Sequence, residues 1–387
     1  MNATWHRSMQ QGPTGPSCEI DGSTHMGDYS NGIWMMTEPL PPNNFTHRWP
    51  AEWEPHRATW LSWPHNRATW PGCFDSIPPL FAHFVQLLAD HEPVVILIGD
   101  GFCAEQAREL VGNVQNVTLL PWRTNDAWMR DYGPTFLQAI DDHPDALIQW
   151  QYNAWGGKYP PWKLDSQVSR TISRELNYRS VISPLTLEGG AIEGNGDRLL
   201  MTTESCVLHR NRNPNSTRSF IESCLLHALN LEQVLWLHGG GIAGDDTDGH
   251  IDQLARFICA NAVVAAVAKD PTDSAYRKLR ENLDQLEDFR RHDGSSLQVI
   301  PLPIPDPICY NGTRLPASYC NYYIANQLIV IPQFDDPADE PARDLLQMLY
   351  PAHRVVGLPA RDLIRGLGAF HCLTQQQPCA RDDVNLR

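Results

Sequence analysis

Apolar residues along the chain form short runs that alternate with amphipathic segments. Runs rich in apolar and β-branched residues predict strands at residues 58–63, 93–98, 133–140, 146–151, 197–203, 205–209, 233–237, 296–302 and 353–357, and a strand pair at 322–331. Residues 256–267 predict either a strand pair or a strand with a turn at Asn261. Apolar positions at helical spacing predict helices at residues 81–90, 104–111, 166–177, 216–229, 273–289 and 338–349. Strands and helices do not follow a one-to-one rhythm. The pattern therefore predicts an α/β or α+β domain of several similar modules rather than a doubly wound sheet.

The segment 366–378 changes abruptly from apolar to polar. Two glycines precede a short apolar run at 369–373, and Thr374 and three glutamines follow it. This pattern predicts a short buried strand that brings Cys372 to the rim of a cavity. A lone cysteine is more often an inert, buried side chain, so the reactivity of Cys372 depends on the groups that the fold brings to it.

Composition narrows the classes of function. The chain has 387 residues, of which 42% are hydrophobic, and a formal net charge of −15. Nucleic-acid binding needs a basic face, so this charge argues against it, whereas a small cationic substrate is compatible with it. Residues 1–46 are rich in Gly, Pro, Ser, Thr and Asn without periodicity. We expect a flexible leader there and a folded domain at residues 47–387.

The ten cysteines indicate a reduced protein. They are scattered without any CxxC pair, and no spacing suggests a zinc site or a disulfide framework. Several lie in apolar runs, as Cys259 does, so the expected compartment is the reducing cytoplasm. The longest apolar run, residues 258–268, is too short for a membrane span, and we expect no secretory signal at the N-terminus.

Two acidic residues stand beside glycines at predicted junctions. Asp131 comes shortly before Gly133-Pro134, a turn at the start of a predicted strand. Glu188 precedes two glycines, which indicates that another segment or a ligand approaches the backbone closely. Each pattern also has an ordinary structural interpretation: an Asx turn or an ion pair with Arg130 for Asp131, and a bulge with an exposed carboxylate for Glu188.

A third acidic segment, residues 245–252, contains four aspartates and His250. His250 and Asp252 lie two positions apart, so on an extended segment they point to the same side. Such a concentration of carboxylates needs a cation nearby, either a metal ion or a cationic ligand. The spacing does not match an EF-hand, and only His238 stands near enough to add an imidazole. A cationic ligand is therefore favoured over a metal.

Together, the thiol, the histidine and the carboxylates indicate chemistry on a guanidinium. The Cys372 thiolate is the expected nucleophile, and His250 is expected to supply and remove protons. Carboxylates oppose thiolate formation unless the substrate is positive, and a guanidinium is planar, permanently charged and pairs bidentately with carboxylates. We expect Cys372 to be largely a neutral thiol in the empty enzyme and to ionise when the guanidinium arrives.

Six motifs, in this order, resemble the agmatine deiminase family within the guanidino-group-modifying (pentein) superfamily. They span residues 49–378 and read Pro50-Ala-Glu-Trp-Glu-Pro-His56, Trp128-Met-Arg-Asp-Tyr-Gly-Pro134, Leu187-Glu-Gly-Gly190, Asp246-Thr-Asp-Gly-His-Ile-Asp252, Leu315-Pro-Ala-Ser318 and His371-Cys-Leu-Thr-Gln-Gln376. Two segments depart from the pattern: 366–372 is not Gly-Gly-Gly-Asn-Ile-His-Cys, and 63–71 lacks Asp-Asn-Trp-Arg. Both differences would affect binding of the distal end of the substrate more than the reaction at its guanidinium.

The resemblance implies a fold and a set of roles. The fold would be a five-bladed α/β propeller of pseudo-symmetric ββαβ modules around a central active-site channel, with no metal or other cofactor. Carried over by position, Cys372 is the nucleophile and His250 the general acid and base. Asp131 and Asp252 hold the guanidinium nitrogens, and Glu188 supports His250 and the substrate.

The reaction implied by the resemblance is hydrolysis of agmatine, a step of putrescine and polyamine biosynthesis, to N-carbamoylputrescine and ammonia through a covalent amidino-thioether. Trp128 would form part of the channel wall. Free arginine, peptidyl-arginine and methylated arginines share the head group, so the sequence leaves the guanidine open, and also whether the chain forms a homo-oligomer. A metal-dependent hydrolase that uses residues 245–252, or a non-catalytic binder of polyamines, are the alternatives.

Overall fold

The computed structural model describes residues 46–381. The leader expected at residues 1–46 lies outside this range except for Thr46, whose carbonyl oxygen accepts a hydrogen bond from the Ile140 N–H (2.9 Å). None of the helices within residues 46–381 is both long and apolar enough to cross a membrane.

The strands form five sheets of three or four strands and one two-stranded hairpin within the described range. In chain order they are β1 (His47–Arg48), β2 (His56–Ser62), β3 (Val94–Leu97), β4 (Val117–Leu120), β5 (Thr135–Ala139), β6 (Ala146–Gln151), β7 (Arg179–Thr186), β8 (Ile192–Gly194), β9 (Leu199–Thr203), β10 (Gln233–Leu237), β11 (Ala255–Cys259), β12 (Ala262–Val267), β13 (Gln298–Pro303), β14 (Cys309–Tyr310), β15 (Thr313–Arg314), β16 (Tyr323–Ala325), β17 (Leu328–Gln333), β18 (Arg354–Pro359) and β19 (Thr374–Pro378).

Longer helices connect strands, and shorter helical turns precede or follow them. In chain order the helices are α1 (Ile77–Ala89), α2 (Gly101–Val111), α3 (Met129–Tyr132), α4 (Ala154–Gly157), α5 (Val168–Leu176), α6 (Glu204–Val207), α7 (Arg218–Leu229), α8 (Tyr276–Asp288), α9 (Asp339–Leu349) and α10 (Phe370–Leu373). Helix α1 begins at Ile77 rather than at residue 81, because prolines at its first positions suit a helix start, where no N–H is needed.

All five sheets share one connection pattern, and we call each sheet with its helix a module. An antiparallel strand pair comes first, then a helix, then a third strand that runs parallel to the second. The antiparallel pairs are β19–β2, β5–β6, β8–β9, β11–β12 and β16–β17. The parallel partners are β2–β3, β6–β7, β9–β10, β12–β13 and β17–β18, with α1, α5, α7, α8 and α9 between them in that order. The first module thus takes its leading strand, β19, from the end of the chain.

A single helical turn stands directly before the leading strand of each module. These five pre-strand turns are α3, Gly189–Ala191, Ile251–Gln253, Tyr319–Asn321 and α10. Each turn packs against the next one in chain order, and the last turn, α10, packs against the first, α3. Every turn therefore contacts two of the others. The contacts therefore form a closed ring.

Apolar side chains pack in two clusters. The larger cluster includes the fully buried Trp63, Trp70 and Phe84 near α1 and extends through the modules with α8 and α9. The smaller cluster joins the second and third modules through residues such as Ile148 and Leu225. Burial of this apolar surface is the main favourable term in folding.

Most predicted elements are present, and the differences have physical reasons. Of the two arrangements predicted for 256–267, the strand pair is confirmed as β11 and β12, and the strand predicted at 233–237 is confirmed as β10. The strand predicted at 205–209 is wrong, since this region contains the turn α6, which is too short to show a helical period. The sequence did not reveal β4, β7 and β8. Strand β7 lies at a sheet edge, which tolerates its Pro184, and its exposed positions hide the alternation.

The tail also differs from its prediction. Cys372 lies on the helical turn α10, not on a strand, and the polar residues after it form the buried strand β19. The glutamines can be buried because each finds a partner: Gln376 Oε1 accepts from Arg130 (2.6 Å), and Gln377 Oε1 accepts from the Trp60 indole N–H (2.9 Å). Buried polar groups are tolerated when they are hydrogen-bonded.

Buried charges converge on Glu52. Its carboxylate lies 2.9 Å from Arg256, 2.8 Å from His371 and 3.2 Å from Arg130. It also accepts a hydrogen bond from the backbone N–H of Ile324 (3.0 Å). Burial raises the pKa of Glu52, but Arg256, His371 and Arg130 outweigh it and hold the pKa well below its ordinary value. Glu52 is therefore a carboxylate at neutral pH.

Arg256 extends this network to the remaining modules. Its Nε lies 3.1 Å from Glu193 of β8, and Nη1 donates to the carbonyl oxygens of Cys320 (3.2 Å) and Tyr322 (2.6 Å). Glu52 and Arg256 together contact residues that belong to, or directly precede, the leading strand of every module.

We predict that Arg256→Ala lowers the free energy of unfolding by about 3–5 kcal/mol, because it leaves the Glu52 and Glu193 carboxylates buried with one partner fewer. Urea denaturation followed by tryptophan fluorescence measures this difference. Arg280→Ala is the control: its ion pair with Asp284 on α8 is half exposed, so its loss should change the free energy by less than about 1 kcal/mol. Equal denaturation midpoints for the Arg256 variant and the wild type would contradict the prediction.

Candidate active site

A cavity of about 790 Å³ opens beside the pre-strand turns. Trp128, Asp131 and Cys372, three of the residues predicted from the sequence, line its wall. The other three, Glu188, His250 and Asp252, are fully buried next to them. His250 Nδ1 lies 3.7 Å from Asp131 Oδ1, and Asp252 Oδ2 lies 3.6 Å from Cys372 Sγ. The fold therefore brings all six residues together.

The Cys372 thiol is held by Asn321. Asn321 Nδ2 donates to Cys372 Sγ (3.1 Å), and its Oδ1 accepts from the backbone N–H groups of Ala369 (3.0 Å) and Cys372 (3.4 Å). One side chain thus fixes both the turn α10 and the sulfur that it carries. Burial, and then the carboxylates of Asp252 and Asp131, raise the pKa of Cys372 well above its ordinary value. The thiol is therefore neutral in the empty site.

The two carboxylates nearest to the thiol differ in their surroundings. Asp131 accepts hydrogen bonds from the Gly190 N–H (3.1 Å) and the Trp155 indole (2.9 Å), and burial raises its pKa to about 6 despite the opposing effect of His250. Asp252 Oδ2 lies 2.8 Å from His371 Nδ1. Burial raises the pKa of Asp252, but His371, His250 and Arg256 together lower it by more. Among residues 46–381, no donor reaches Asp252 Oδ1.

His250 lies between two carboxylates. Its Nε2 is 3.6 Å from Glu188 Oε2, while Arg212 Nε holds both oxygens of Glu188 at 3.1 and 3.0 Å. Burial alone would lower the pKa of His250, but Asp131, Cys206 and Glu188 raise it well above its ordinary value overall. Burial raises the pKa of Glu188, but His250 and Arg212 lower it by more. A protonated imidazole and an ionised Glu188 result.

Two glycines allow these groups to converge. A Cβ on Gly190 would lie 2.7 Å from His250 Nδ1 and 2.8 Å from Asp131 Oδ1, and one on Gly189 would lie 2.1 Å from the carbonyl oxygen of Arg130. The close backbone approach predicted from the pair of glycines after Glu188 is therefore confirmed, and the approaching segment is α3.

Trp128 forms part of the cavity wall. Its ring lies 5.4 Å from that of Trp70, and Gly366 and Gly368 pack so closely against it that a Cβ at either position would come within 3 Å. Leu367, between these glycines, lines the same cavity and has a left-handed backbone (φ 71°) that is uncommon for a branched residue. The segment 366–372, which differs from the family pattern, thus forms part of the cavity wall.

The aspartates at 245–252 do not form a cluster. Each of the first three has its own partner: Asp245 accepts from Thr247, Asp246 from the Tyr159 hydroxyl, and Asp248 from Lys158 and Arg212. The arrangement required by the metal-dependent hydrolase hypothesis for this segment is therefore absent from the described residues.

Sequence reasoning did not identify Asn321, His371 or Arg212 as parts of the site. A signal existed for His371, since it interrupts the apolar run 369–373 and a buried polar side chain requires partners. It lies between Asp252 and Glu52, at 2.8 Å from each carboxylate. No local pattern marks Asn321 or Arg212, whose importance comes from contacts distant in sequence.

The chain is similar to known deiminases in sequence and in fold. The sequence matches the family of Porphyromonas-type peptidyl-arginine deiminases over residues 48–378. Agmatine deiminase from Pseudomonas aeruginosa strain LESB58 is 37% identical over 361 residues, which cover 86% of this chain and 96% of the relative. That from Pseudomonas syringae pv. tomato is 38% identical over 355 residues, covering 85% of this chain and 95% of the relative.

Solved structures share the fold. Agmatine deiminase from C. jejuni with substrate bound matches with a TM-score of 0.80 at 29% identity, covering 89% of this chain and 99% of that one. The enzyme from Enterococcus faecalis matches with a TM-score of 0.79 at 28% identity, covering 86% and 96%. The α/β fold and the resemblance identified from the six motifs are confirmed. The chain belongs to the family of Porphyromonas-type peptidyl-arginine deiminases.

Proposed function

We propose that this protein is an agmatine deiminase, which hydrolyses the guanidinium of agmatine to N-carbamoylputrescine and ammonia. One observation carries the proposal: the Cys372 thiol lies on the cavity wall, 3.6 Å from the fully buried Asp252, whose Oδ1 has no donor among residues 46–381. A buried carboxylate oxygen without a donor is unfavourable, and a guanidinium supplies planar N–H donors that carboxylates bind strongly. The names of the relatives at 37–38% identity support the same activity.

The carboxylates position the guanidinium. Asp131 and Asp252 bind its nitrogens on either side of the thiol, and Glu188 supports His250 and the substrate. Placement of the reacting carbon next to sulfur converts an encounter between two molecules into a step within one complex. The positive charge of the guanidinium also offsets the carboxylates that oppose ionisation of Cys372, so substrate binding favours the thiolate.

The first step forms the covalent intermediate. As the guanidinium binds, the Cys372 thiol releases its proton to water, where the departing ammonia later takes it up as ammonium. The resulting thiolate attacks the guanidinium carbon and a C–S bond forms. His250, protonated in the empty site, gives its proton to the departing nitrogen, and the C–N bond breaks as ammonia leaves. The substrate carbon then remains on sulfur as an amidino-thioether.

The second step releases the product. A water molecule gives one proton to the now neutral His250 and attacks the same carbon. As the C–S bond breaks, the remaining hydroxyl proton passes to sulfur. This step yields N-carbamoylputrescine, restores the neutral thiol and returns His250 to its protonated form.

The cavity lining favours agmatine over arginine. Besides Asp131, three acidic side chains line it, namely Asp126, Asp165 and Asp246, and burial raises the pKa of Asp165 to about 8. The basic side chains on the wall each pair with an acidic one: Arg123 with Asp100, Lys158 with Asp248 and Arg365 with Asp362. An acidic lining suits the distal ammonium of agmatine and disfavours the carboxylate of free arginine.

We also propose that the five modules, from residue 47 onward, form one five-bladed propeller domain around the site. The repeated connection pattern supports this arrangement, as does the ring of pre-strand turns. Each turn, or the residue before it, provides at least one side chain of the site: Asp131, Glu188, Asp252, Asn321 and Cys372.

We predict that Cys372→Ala abolishes ammonia release from agmatine, because the sulfur forms the intermediate. An ammonia assay over agmatine, free arginine, a peptidyl-arginine and a methylated arginine measures activity and preference together, and agmatine should be turned over fastest. Cys224→Ala, which changes another buried free cysteine, should keep activity. Unchanged ammonia release by the Cys372 variant would refute the mechanism, and faster turnover of another guanidine would refute the choice of agmatine.

Asp131→Asn should raise KM for agmatine by about 30-fold or more, since loss of one partner of a buried charged pair costs about 2–5 kcal/mol. His250→Ala should instead abolish turnover, because it removes the group proposed to protonate the leaving nitrogen. Steady-state kinetics of both variants separate these effects, with Asp284→Asn on the exposed side of α8 as a control. A wild-type KM in the Asp131 variant would exclude its part in binding.

Alkylation of Cys372 should be slow at neutral pH without ligand and accelerate as the pH rises, because a raised pKa leaves little thiolate at neutral pH. Asp131→Asn removes one negative charge and should move the profile to lower pH. Asp126→Asn, farther from the thiol, should leave it in place. Iodoacetamide labelling of the Cys372 peptide, followed by mass spectrometry across pH, measures the profile. Rapid, pH-independent labelling at neutral pH would show that the free thiol is already ionised.

A further inference from the structure

A buried thiol that takes no part in the proposed reaction lies beside the general acid. Cys206, on the turn α6, is fully buried, and its Sγ is 4.0 Å from Glu188 Oε2. His250 Nε2 is 3.6 Å from the same oxygen. One donor atom from each of Glu188, Cys206 and His250 lies within 4.8 Å of the other two, so that sulfur, nitrogen and oxygen converge on one point.

The imidazole of His250 is available as a ligand. It is fully buried, yet neither ring nitrogen has a hydrogen-bond partner among residues 46–381, because the carboxylates of Asp131 and Glu188 stay at 3.7 and 3.6 Å. Buried ring nitrogens without a partner are rare in folded proteins. This second observation, independent of the cysteine, indicates that the group accepts a further atom.

We propose that Glu188, Cys206 and His250 form an inhibitory site for a divalent ion of the zinc class. Thiolate, imidazole and carboxylate are the ligands that Zn²⁺ takes, at about 2.0–2.3 Å in a tetrahedral arrangement. Such bond lengths place ligand atoms roughly 3.3–3.8 Å apart. The two observed separations are close to this range, and three protein ligands leave the fourth position for water.

The neighbouring groups are compatible with an ion. Asp131 stands at the second ring nitrogen of His250, where a carboxylate commonly orients a metal-bound histidine. Arg212 contacts Glu188 and opposes a cation, but ligation also removes charge. The thiol of Cys206 and the imidazolium of His250 each lose one proton when they bind. Two protons leave as a dication enters, so the net charge beside Arg212, Asp131 and Asp252 does not change.

Occupation of this site would stop the reaction. A metal-bound His250 cannot give a proton to the leaving nitrogen or accept one from water. This consequence depends on the role proposed for His250, whereas binding of the ion does not. The thiol of Cys372 stays free, so the site differs from one in which a metal caps the nucleophile.

Cobalt absorption tests the site without reference to catalysis. Co²⁺ added to the Cys372→Ser protein should give a sulfur-to-cobalt charge-transfer band in the near ultraviolet that Zn²⁺ abolishes. The band should be lost when Cys206→Ala is added to this background and retained when Cys224→Ala, a neighbouring buried cysteine, is added instead. A band that survives without Cys206, or no band in the Cys372→Ser protein, would overturn the proposal.

Two further measurements keep the test decisive. If the Cys206 variant does not melt cooperatively, His250→Asn in the same background should weaken Co²⁺ binding by about tenfold or more, and unchanged binding would refute the site. In the enzyme with Cys372 intact, the zinc concentration for half-inhibition should rise by about tenfold or more on Cys206→Ala. An inactive wild type would refute the proposed function, while the cobalt band would still decide the metal site.

Discussion

The carboxylate of Glu52 is surrounded by two arginines, a histidine and a backbone N–H, all of them buried. A charge in this position is tolerable only if every one of its partners is in place. Those partners come from the beginnings of different modules, so the network forms only when the modules have docked in one arrangement. Apolar packing stabilises each module, but it is much less specific about how modules meet. The ionic network specifies that arrangement, and with it the relative positions of the pre-strand turns.

The groups of the proposed active site depend on the same network. His371 joins Glu52 to Asp252, and Asp252 in turn lies beside the thiol of Cys372. Arg130, on the other side of Glu52, belongs to the same turn as Asp131. The carboxylates proposed to bind substrate are therefore placed by neighbours that already form part of the structural core. Such support holds side chains in a fixed geometry, which a reaction between positioned groups requires.

The sequence was informative where the signal is local. Strand β10 is apolar after Gln233, and the pair β11–β12 is apolar apart from Arg256, so their positions were predicted closely. The strand β19 was not, because its glutamines are buried only through hydrogen bonds to Arg130 and Trp60, which are far away in sequence. The residues of the site also differ in how far the sequence alone reveals them. Motifs identified the residues with charged or nucleophilic groups, whereas Asn321 and Arg212 gain importance only through contacts that the fold creates.

The connection of the last strand to the first sheet also has a consequence for synthesis. Strand β19 pairs with β2, and the turn α10 with Cys372 stands directly before it, after the other four segments of the site in chain order. During translation the ribosome therefore completes four of the five site segments before it reaches Cys372. A nascent chain, or one clipped between α9 and α10, contains the carboxylates and the histidine but lacks the proposed nucleophile. Arrival of this thiol and completion of the first sheet are one event, so an incomplete chain cannot start the proposed reaction.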